Sequence, residues 1–253
     1  MTIANIDQRQ FSVDPEHTIQ AHLAIAPLAP AASALARANA SIRPEQDAYV
    51  ATHGEMLLRS VFQPIVSLSH LRTVGYEALL RVAPLKSGEA AHAIPPLQFL
   101  NSPREDRESI FIDRLCRALH ARNFVAQGDR ENWLFLNVSP LTVVMGRGQG
   151  TFFRELIESL QLPPERVVIE VLEHALVNED EIERAVHFYR DLGCLVAIDD
   201  FGAGHSNFRR VWQLKPDIIK LDRSMIAHAS RGGPMRRMMP GIVSLLHEAG
   251  SLV

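Results

Sequence analysis

Strand-like and helix-like segments alternate along the chain from residue 61 onward, and this alternation limits the possible folds more than any other feature. A parallel sheet is expected, because each helix can carry the chain back across the sheet to begin the next strand. The first two strand-like segments, 61–68 and 74–82, are separated only by a short turn, so we expect a hairpin there. The sequence therefore predicts an α/β protein with a mostly parallel sheet, in the form of a barrel.

The remaining elements are expected at short intervals. Further strands are predicted at 134–138, 167–172, 195–199 and 218–221, and helices at 104–122, 152–160, 206–214, 235–249 and directly after Asn178. A lead-in helix is predicted at 44–60, because Pro44 suits a first helical position. Another strand is expected to begin at residues 251–253.

Residue composition and hydrophobic periodicity divide the chain into two parts. Residues 1–42 are rich in alanine, with scattered prolines and little hydrophobic periodicity, so a linker or weakly ordered arm is expected there. Residues 43–253 hold the alternating pattern, and we expect them to form one barrel domain.

Composition narrows the class of protein further. The apolar fraction of 47% and the charged fraction of 22% are typical of soluble globular domains. A formal net charge of −3 argues against binding to a nucleic acid polymer. Cys116 and Cys194 form no CxxC pair, which argues against a zinc knuckle or a disulfide framework and indicates a reducing compartment. The N-terminus lacks a signal-peptide pattern, and prolines interrupt the apolar stretch 21–41, so we expect a cytoplasmic protein without a membrane span in this chain.

Polar residues lie in or at the ends of the predicted strands. They are Glu77, Asn137, Glu170, Asp199 with Asp200, and Lys220. Burial of a lone carboxylate costs free energy, so a single acidic residue in a strand is most simply explained by a salt bridge. A pair of aspartates before a helix is most simply explained by helix capping. The whole set is better explained by a site at the mouth of a barrel, where strand ends converge. Oxygen ligands of this kind suit Mg²⁺ or Mn²⁺, and a lysine among them would orient or deprotonate a water or bind a phosphate.

Six motifs carry a resemblance to a known family. They are FQPI at 62–65, GYEALLR at 75–81, LNVS at 136–139, EVLE at 170–173, DDFGAGHS at 199–206 and PDIIKLD at 216–222. Together they resemble, in order and spacing from about residue 56 to residue 253, the EAL family of bacterial cyclic-di-GMP phosphodiesterases. The resemblance implies a TIM-like (β/α) barrel whose first strand is antiparallel.

The same resemblance implies an activity and its residues. One phosphodiester bond of cyclic di-GMP is hydrolysed to give linear pGpG, with two Mg²⁺ or Mn²⁺ ions activating water. The implied metal ligands are Glu77, Asn137, Glu170, Asp199 and Asp200, of which the two aspartates share the second ion. The implied catalytic residues are Lys220, which holds or activates the water, Asp200, and Glu173, which supports the loop 201–209. The implied substrate-binding residues are Gln63, Leu79 and Arg81, of which Arg81 meets a phosphate. Cyclic di-GMP is thus the expected partner, and the loop 201–209 puts a homodimer among the options.

Two departures from the family's pattern bear on activity. Leu172 stands where the family has a threonine, which removes a hydroxyl from the support of the loop 201–209. The family's strands seven and eight, with a glutamate of the metal and water network and a glutamine near the substrate, would follow Val253. We therefore expect a barrel truncated before strands seven and eight, with little or no turnover by this chain alone. Three interpretations stay open: an incomplete phosphodiesterase sequence, a naturally truncated inactive protein, and a cyclic-di-GMP sensor or protein-interaction module.

Overall fold

A computed structural model describes residues 33–85, 93–102, 105–139, 141–142, 149–172, 179–203 and 208–253. Within these ranges eight strands form a single sheet in sequential order. The strands are β1 (Ile42–Glu45), β2 (Ala48–His53), β3 (Met56–Ser67), β4 (Arg72–Pro84), β5 (Trp133–Asn137), β6 (Val167–Leu172), β7 (Leu195–Phe201) and β8 (Ile218–Leu221). The helices of the same ranges are α1 (Ser33–Ala40), α2 (Pro96–Leu100), α3 (Asp106–Ala126), α4 (Gln149–Ser159), α5 (Glu179–Asp191), α6 (Phe208–Leu214), α7 (Arg223–Ser230) and α8 (Gly233–Glu248).

The sheet changes from antiparallel to parallel pairing at β4. Strands β1 to β4 pair antiparallel with their neighbours, whereas β4 to β8 pair parallel. A helix lies in every crossover between the parallel strands, and after α8 Leu252 forms a parallel bridge with Ile218. The predicted α/β class, the hairpin at its start and the parallel pairing that follows are confirmed.

Both faces of the parallel strands are buried, which explains why these strands are apolar along most of their length. One face contributes to a large core that also includes α1, α3, α4 and α5. The other face carries a smaller cluster in one row across β5 to β8, and its members are Phe135, Val168, Ala197 and Ile218. We call this row the inner layer. Residues two positions further along each strand lie on the same face of the sheet as this layer.

The segment predicted as a lead-in helix at 44–60 forms strands instead. A turn at Gln46–Asp47 joins β1 to β2, and a turn at Gly54–Glu55 joins β2 to β3. Gln46 and Gly54 adopt φ angles of 53° and 56°, which let the chain reverse direction. The prediction is wrong because pairing with a neighbouring strand, which local periodicity does not report, decides between helix and strand here.

Three further helices, α1, α2 and α7, extend the predicted pattern. α7 has no counterpart among the predicted helices; Asp222 caps it by accepting a hydrogen bond from the backbone N–H of Ser224 at 2.8 Å. α1 lies in the segment expected to be a weakly ordered arm, but Leu35 and Ala38 of this helix are fully buried in the core. Residues 1–32 lie outside the described residues, so the remainder of that expectation and the domain boundary stay predictions. In the described ranges, none of the helices combines the length and the apolar character needed to cross a bilayer.

Candidate active site

The sheet brings the predicted polar residues into one layer. Each of four site residues lies two positions beyond a member of the inner layer, on the same face of its strand. These residues are Asn137, Glu170, Asp199 and Lys220. Glu77 joins them on β4, where its strand neighbour two positions earlier is Gly75. A side chain at Gly75 would meet Phe135, since a Cβ there would lie 2.7 Å from the ring carbon Cε2.

Three carboxylates converge at the centre of this layer. Glu77, Glu170 and Asp199 each offer one oxygen, and these oxygens all lie within 4.8 Å of one another. The Lys220 ammonium lies among them: its Nζ is 2.9 Å from Glu77 Oε2, 2.6 Å from Glu170 Oε1 and 3.2 Å from Asp199 Oδ1. Asn137 donates from Nδ2 to Glu77 Oε1 at 3.4 Å. We refer to these five residues as the strand-end cluster.

The charges of the strand-end cluster do not balance within the described residues. Burial raises the pKa of Glu170 to about 8, in opposition to the nearby Lys220 ammonium, which lowers it. Burial alone would lower the pKa of Lys220, but Glu170 and Asp199 more than offset this, and the pKa is raised above its usual value. Three acids thus face one ammonium, and Glu170 Oε2 is buried without a hydrogen-bond partner among the described residues. Hard oxygen donors with an orphaned buried carboxylate oxygen fit a divalent cation such as Mg²⁺ or Mn²⁺.

Asp200 takes a different direction from Asp199. The pairing of β7 with β8 shifts register between Ile198 and Phe201, and Asp200 adopts a φ angle of 55°. Its carboxylate lies outside the group of carboxylates that are within 4.8 Å of one another, whereas its backbone N–H donates to Asp199 Oδ1 at 3.0 Å. The chain bends between the two aspartates, so one carboxylate joins the strand-end cluster and the next does not.

A helix packs directly on this bend. Gly202 has a φ angle of 93°, and a Cβ at this position would lie 2.0 Å from Met225 Sδ of α7. The backbone N–H of Asp222 also donates to the carbonyl oxygen of Phe201 at 2.9 Å. α7 begins three residues after Lys220, so the same helix adjoins both the lysine strand and the aspartate bend.

The residues predicted to bind substrate lie on β3 and β4, beside or beyond Glu77. Gln63 of β3 is exposed and lies opposite Glu77 in the antiparallel register. Leu79 and Arg81 lie two and four residues beyond Glu77, on the same face of β4. Arg81 is exposed, and its Nη1 donates to the carbonyl oxygen of Leu80 at 2.8 Å. The remaining predicted site residue, Glu173, lies outside the described residues.

One set of polar residues near the site is absent from the predictions. Asp113 and Arg117 of α3 form a buried ion pair, with Nη2 2.6 Å from Oδ2. The other oxygen of Asp113 accepts a hydrogen bond from the backbone N–H of Ser139 at 2.9 Å, two residues after Asn137. The available signal was an aspartate and an arginine four residues apart within the predicted helix 104–122, a spacing that brings two side chains together on one helix face.

A comparison with known protein families agrees with this fold. The model of the EAL domain family matches residues 48–253 of this chain. The chain belongs to the EAL domain family. Its EAL domain is similar in structure to BlrP1 of Klebsiella pneumoniae in a pH 6 complex with manganese and cyclic di-GMP, with a TM-score of 0.66, 21% identity and coverage of 84% of this chain and 50% of that one. EAL domains are TIM-like barrels, so the predicted TIM-like fold is confirmed.

Two sequence relatives of this EAL protein have different described roles. It is 27% identical over 183 residues to the blue light- and temperature-regulated antirepressor BluF of Escherichia coli K12. The aligned region covers 72% of this chain and 43% of BluF. It is 30% identical over 168 residues to the cyclic di-GMP phosphodiesterase PdeF of the same organism. The aligned region covers 65% of this chain and 21% of PdeF. The chain therefore spans less than half the length of these relatives.

Proposed function

We propose that this EAL domain is a metal-dependent phosphodiesterase that hydrolyses cyclic di-GMP to linear pGpG. The observation that carries the proposal is the strand-end cluster, in which three carboxylates and a lysine from four different strands meet within hydrogen-bonding reach. The description of PdeF as a cyclic di-GMP phosphodiesterase and the cyclic di-GMP bound to BlrP1 support this choice of substrate.

Two Mg²⁺ or Mn²⁺ ions are the proposed cofactors. Glu77, Asn137, Glu170 and Asp199 would hold the first ion, while Asp199 and Asp200 would share the second. Bound ions of this kind lower the pKa of a water molecule and stabilise charge on a phosphate oxygen. The manganese in the BlrP1 complex supports this assignment.

The chain's own groups have separate proposed tasks. The Lys220 ammonium has three N–H donors and three carboxylate neighbours, so it holds the acids together and can orient the attacking water once cations neutralise them. Arg81 carries a planar guanidinium that suits a phosphodiester, and Gln63 and Leu79 would line the substrate beside it. Glu173 would support the loop that follows Asp200, and this role rests on the motif alone.

Chromatography of the reaction products tests the proposed activity. A form of the protein that includes the family's strands seven and eight is incubated with cyclic di-GMP and Mn²⁺ or Mg²⁺, and the pGpG formed by the wild type is compared with that formed by Glu77→Ala. Loss of a central carboxylate is expected to abolish turnover, whereas Glu248→Ala, at an exposed helix end outside the strand-end cluster, is expected to retain it. Turnover by Glu77→Ala at the wild-type rate would contradict the proposal.

A second candidate function is a sensor or protein-interaction module without hydrolysis. The similarity to the antirepressor BluF favours it, since BluF is described by a regulatory role. Titration with cyclic di-GMP, with and without Mg²⁺, separates the two functions. Binding without turnover indicates a sensor, and the absence of both binding and turnover indicates a protein-interaction module.

Cytoplasmic location remains a proposal that agrees with the buried free thiols of Cys116 and Cys194. A homodimer stays a prediction.

A further inference from the structure

Among the ion pairs of the described residues, Asp113–Arg117 is the most deeply buried. The two side chains are 9% and 2% exposed, so both charges are removed from water. Arg117 also donates from Nη1 to the Tyr189 hydroxyl at 3.1 Å, and its guanidinium lies 5.6 Å and 5.7 Å from the ring centres of Phe152 and Phe153. A buried ion pair is weak evidence for stability, because apolar residues of similar volume often stabilise a core as well. Its presence calls for a role other than filling space.

The two partners of Asp113 are both donors. Oδ2 accepts from Arg117 and Oδ1 accepts from the backbone N–H of Ser139. Only an ionised carboxylate offers an acceptor on each side; an asparagine in the same place would direct its NH₂ group at one of the two donors. Arg117 keeps the carboxylate compensated in the core, and Asp113 thereby presents a charged acceptor to the end of β5.

The end of β5 is the segment that carries Asn137. Two successive backbone N–H groups follow this residue, and both are held: that of Val138 donates to the carbonyl oxygen of Glu170 at 3.2 Å, and that of Ser139 donates to Asp113. The first bond joins Asn137 to a neighbouring strand of the site. The second joins it to α3, outside the sheet. Together they define where β5 stops and where the Asn137 carboxamide lies relative to Glu77.

We propose that Asp113, compensated by Arg117, is a positioning residue that holds the Ser139 backbone and so places Asn137 in the cation site of the strand-end cluster. The inference rests on the proposed function, in that it takes the strand-end cluster as a cation site, but it does not depend on hydrolysis. Removal of Asp113 weakens cation binding through a misplaced Asn137, with no change in the carboxylate ligands themselves.

Binding of Mn²⁺ alone, followed by the loss of the free-ion electron paramagnetic resonance signal, tests this role in the full chain. Asp113→Asn and the double variant Asp113→Leu with Arg117→Met are compared with wild type. Groups behind metal ligands typically change metal affinity by about 10-fold to 100-fold, and a loss of about 10-fold is expected in both variants. The double variant replaces the ion pair with apolar side chains, so it separates the positioning role from the cost of an unpaired buried charge.

Arg122→Met is the matched control. Arg122 is a buried arginine of the same helix, and it donates to Asn39 at 2.8 Å, in α1 rather than at the site. Arg122→Met is expected to leave Mn²⁺ affinity at the wild-type value, whatever its effect on stability.

Wild-type affinity in a folded double variant would overturn the inference while leaving the proposed function intact. Failure of both Asp113 variants to fold, with Arg122→Met folded, would also overturn it, because the pair would then be a requirement of the fold. Absence of Mn²⁺ binding by the wild-type protein would instead contradict the proposed function and remove the basis of this inference.

Discussion

Lys220 has surroundings unlike those of an ordinary surface lysine. Its ammonium contacts three carboxylates, one of them on the fully buried side chain of Glu170, and only 25% of the lysine side chain is exposed. The acids would repel one another without this cation, since like charges at short distance disfavour ionisation. Lys220 therefore stabilises the strand-end cluster when no divalent cation is bound.

Lys220→Met is expected to lower the free energy of unfolding by about 1–3 kcal/mol without divalent cations, because it leaves buried acids without their charged partner. Mn²⁺ should stabilise this variant more than it stabilises the wild type, since a cation bound to the folded state replaces the missing ammonium. Denaturant unfolding with and without Mn²⁺ measures both effects. Lys215→Met removes an exposed lysine outside the strand-end cluster, and an equal loss in this control would contradict the prediction.

At the scale of elements, α3 is buried along its second half, so its polar side chains need partners. Asn123 exchanges hydrogen bonds with the backbone of Tyr49, accepting from its N–H at 2.8 Å and donating to its carbonyl oxygen at 2.9 Å. Asn123 also donates to Ser60 Oγ at 3.2 Å, and this hydroxyl lies 2.8 Å from Nδ1 of His120. The polar side chains of α3 thus join the helix to β2 and β3.

His120 makes this junction sensitive to acid. Burial lowers the pKa of His120 to about 4, whereas the unfolded chain has an ordinary histidine pKa of about 6.5. Protons therefore bind the unfolded chain preferentially between these values. The contribution of His120 is fully present above pH 6.5 and is lost as the pH falls toward 4, by up to about 1.4 kcal/mol per pH unit and about 3 kcal/mol in total.

Denaturant unfolding between pH 7 and pH 4.5 checks this prediction. His120→Asn, which keeps a hydrogen-bonding group near Ser60, is expected to lose less stability on acidification than the wild type. His187→Gln changes an exposed histidine of α5 and should follow the wild-type profile. The same pH dependence in wild type and His120→Asn would show that another group is responsible.

At the scale of the whole molecule, the core extends beyond the part of the chain that the family model matches. The match begins at residue 48, whereas α1 and β1 precede it and belong to the same folded body. Leu35 and Ala38 of α1 are fully buried, and Asn39 accepts a hydrogen bond from Arg122 of α3 at 2.8 Å. α1 therefore covers the outer side chains of α3 and contributes to the stability of the EAL domain.

Leu35→Ala is expected to lower the free energy of unfolding by about 2–5 kcal/mol, the usual range for truncation of a buried leucine. The reason is the loss of apolar contacts with the core and the cavity that remains. Thermal or denaturant unfolding of the full chain measures it. Arg37→Ala, at an exposed position of the same helix, is the control, and a Leu35→Ala loss no larger than this control would mean that α1 does not contribute to the core in solution.

Much of the parallel half of the molecule could be predicted from local patterns. β6 and β8 begin and end at the predicted residues, and β5 and β7 differ from their predictions by one and two residues. Apolar runs between helical segments report burial on both faces of a strand, so their positions are readable without knowledge of their neighbours. The strands of the antiparallel half were harder to predict from local patterns. β1 and β2 depend on the turns at Gln46 and Gly54 and on pairing with β3.

The sequence by itself determined the class of fold and which polar residues end its strands, because both follow from hydrophobic period and from motifs that stand on single segments. Only the tertiary structure decided how those residues meet. It places Glu77, Glu170 and Asp199 around one ammonium, turns Asp200 away at a register shift, and joins Asn137 to the buried charge of Asp113. These relations connect residues far apart in the chain, and distances between segments are set by packing and strand register, which no local pattern contains.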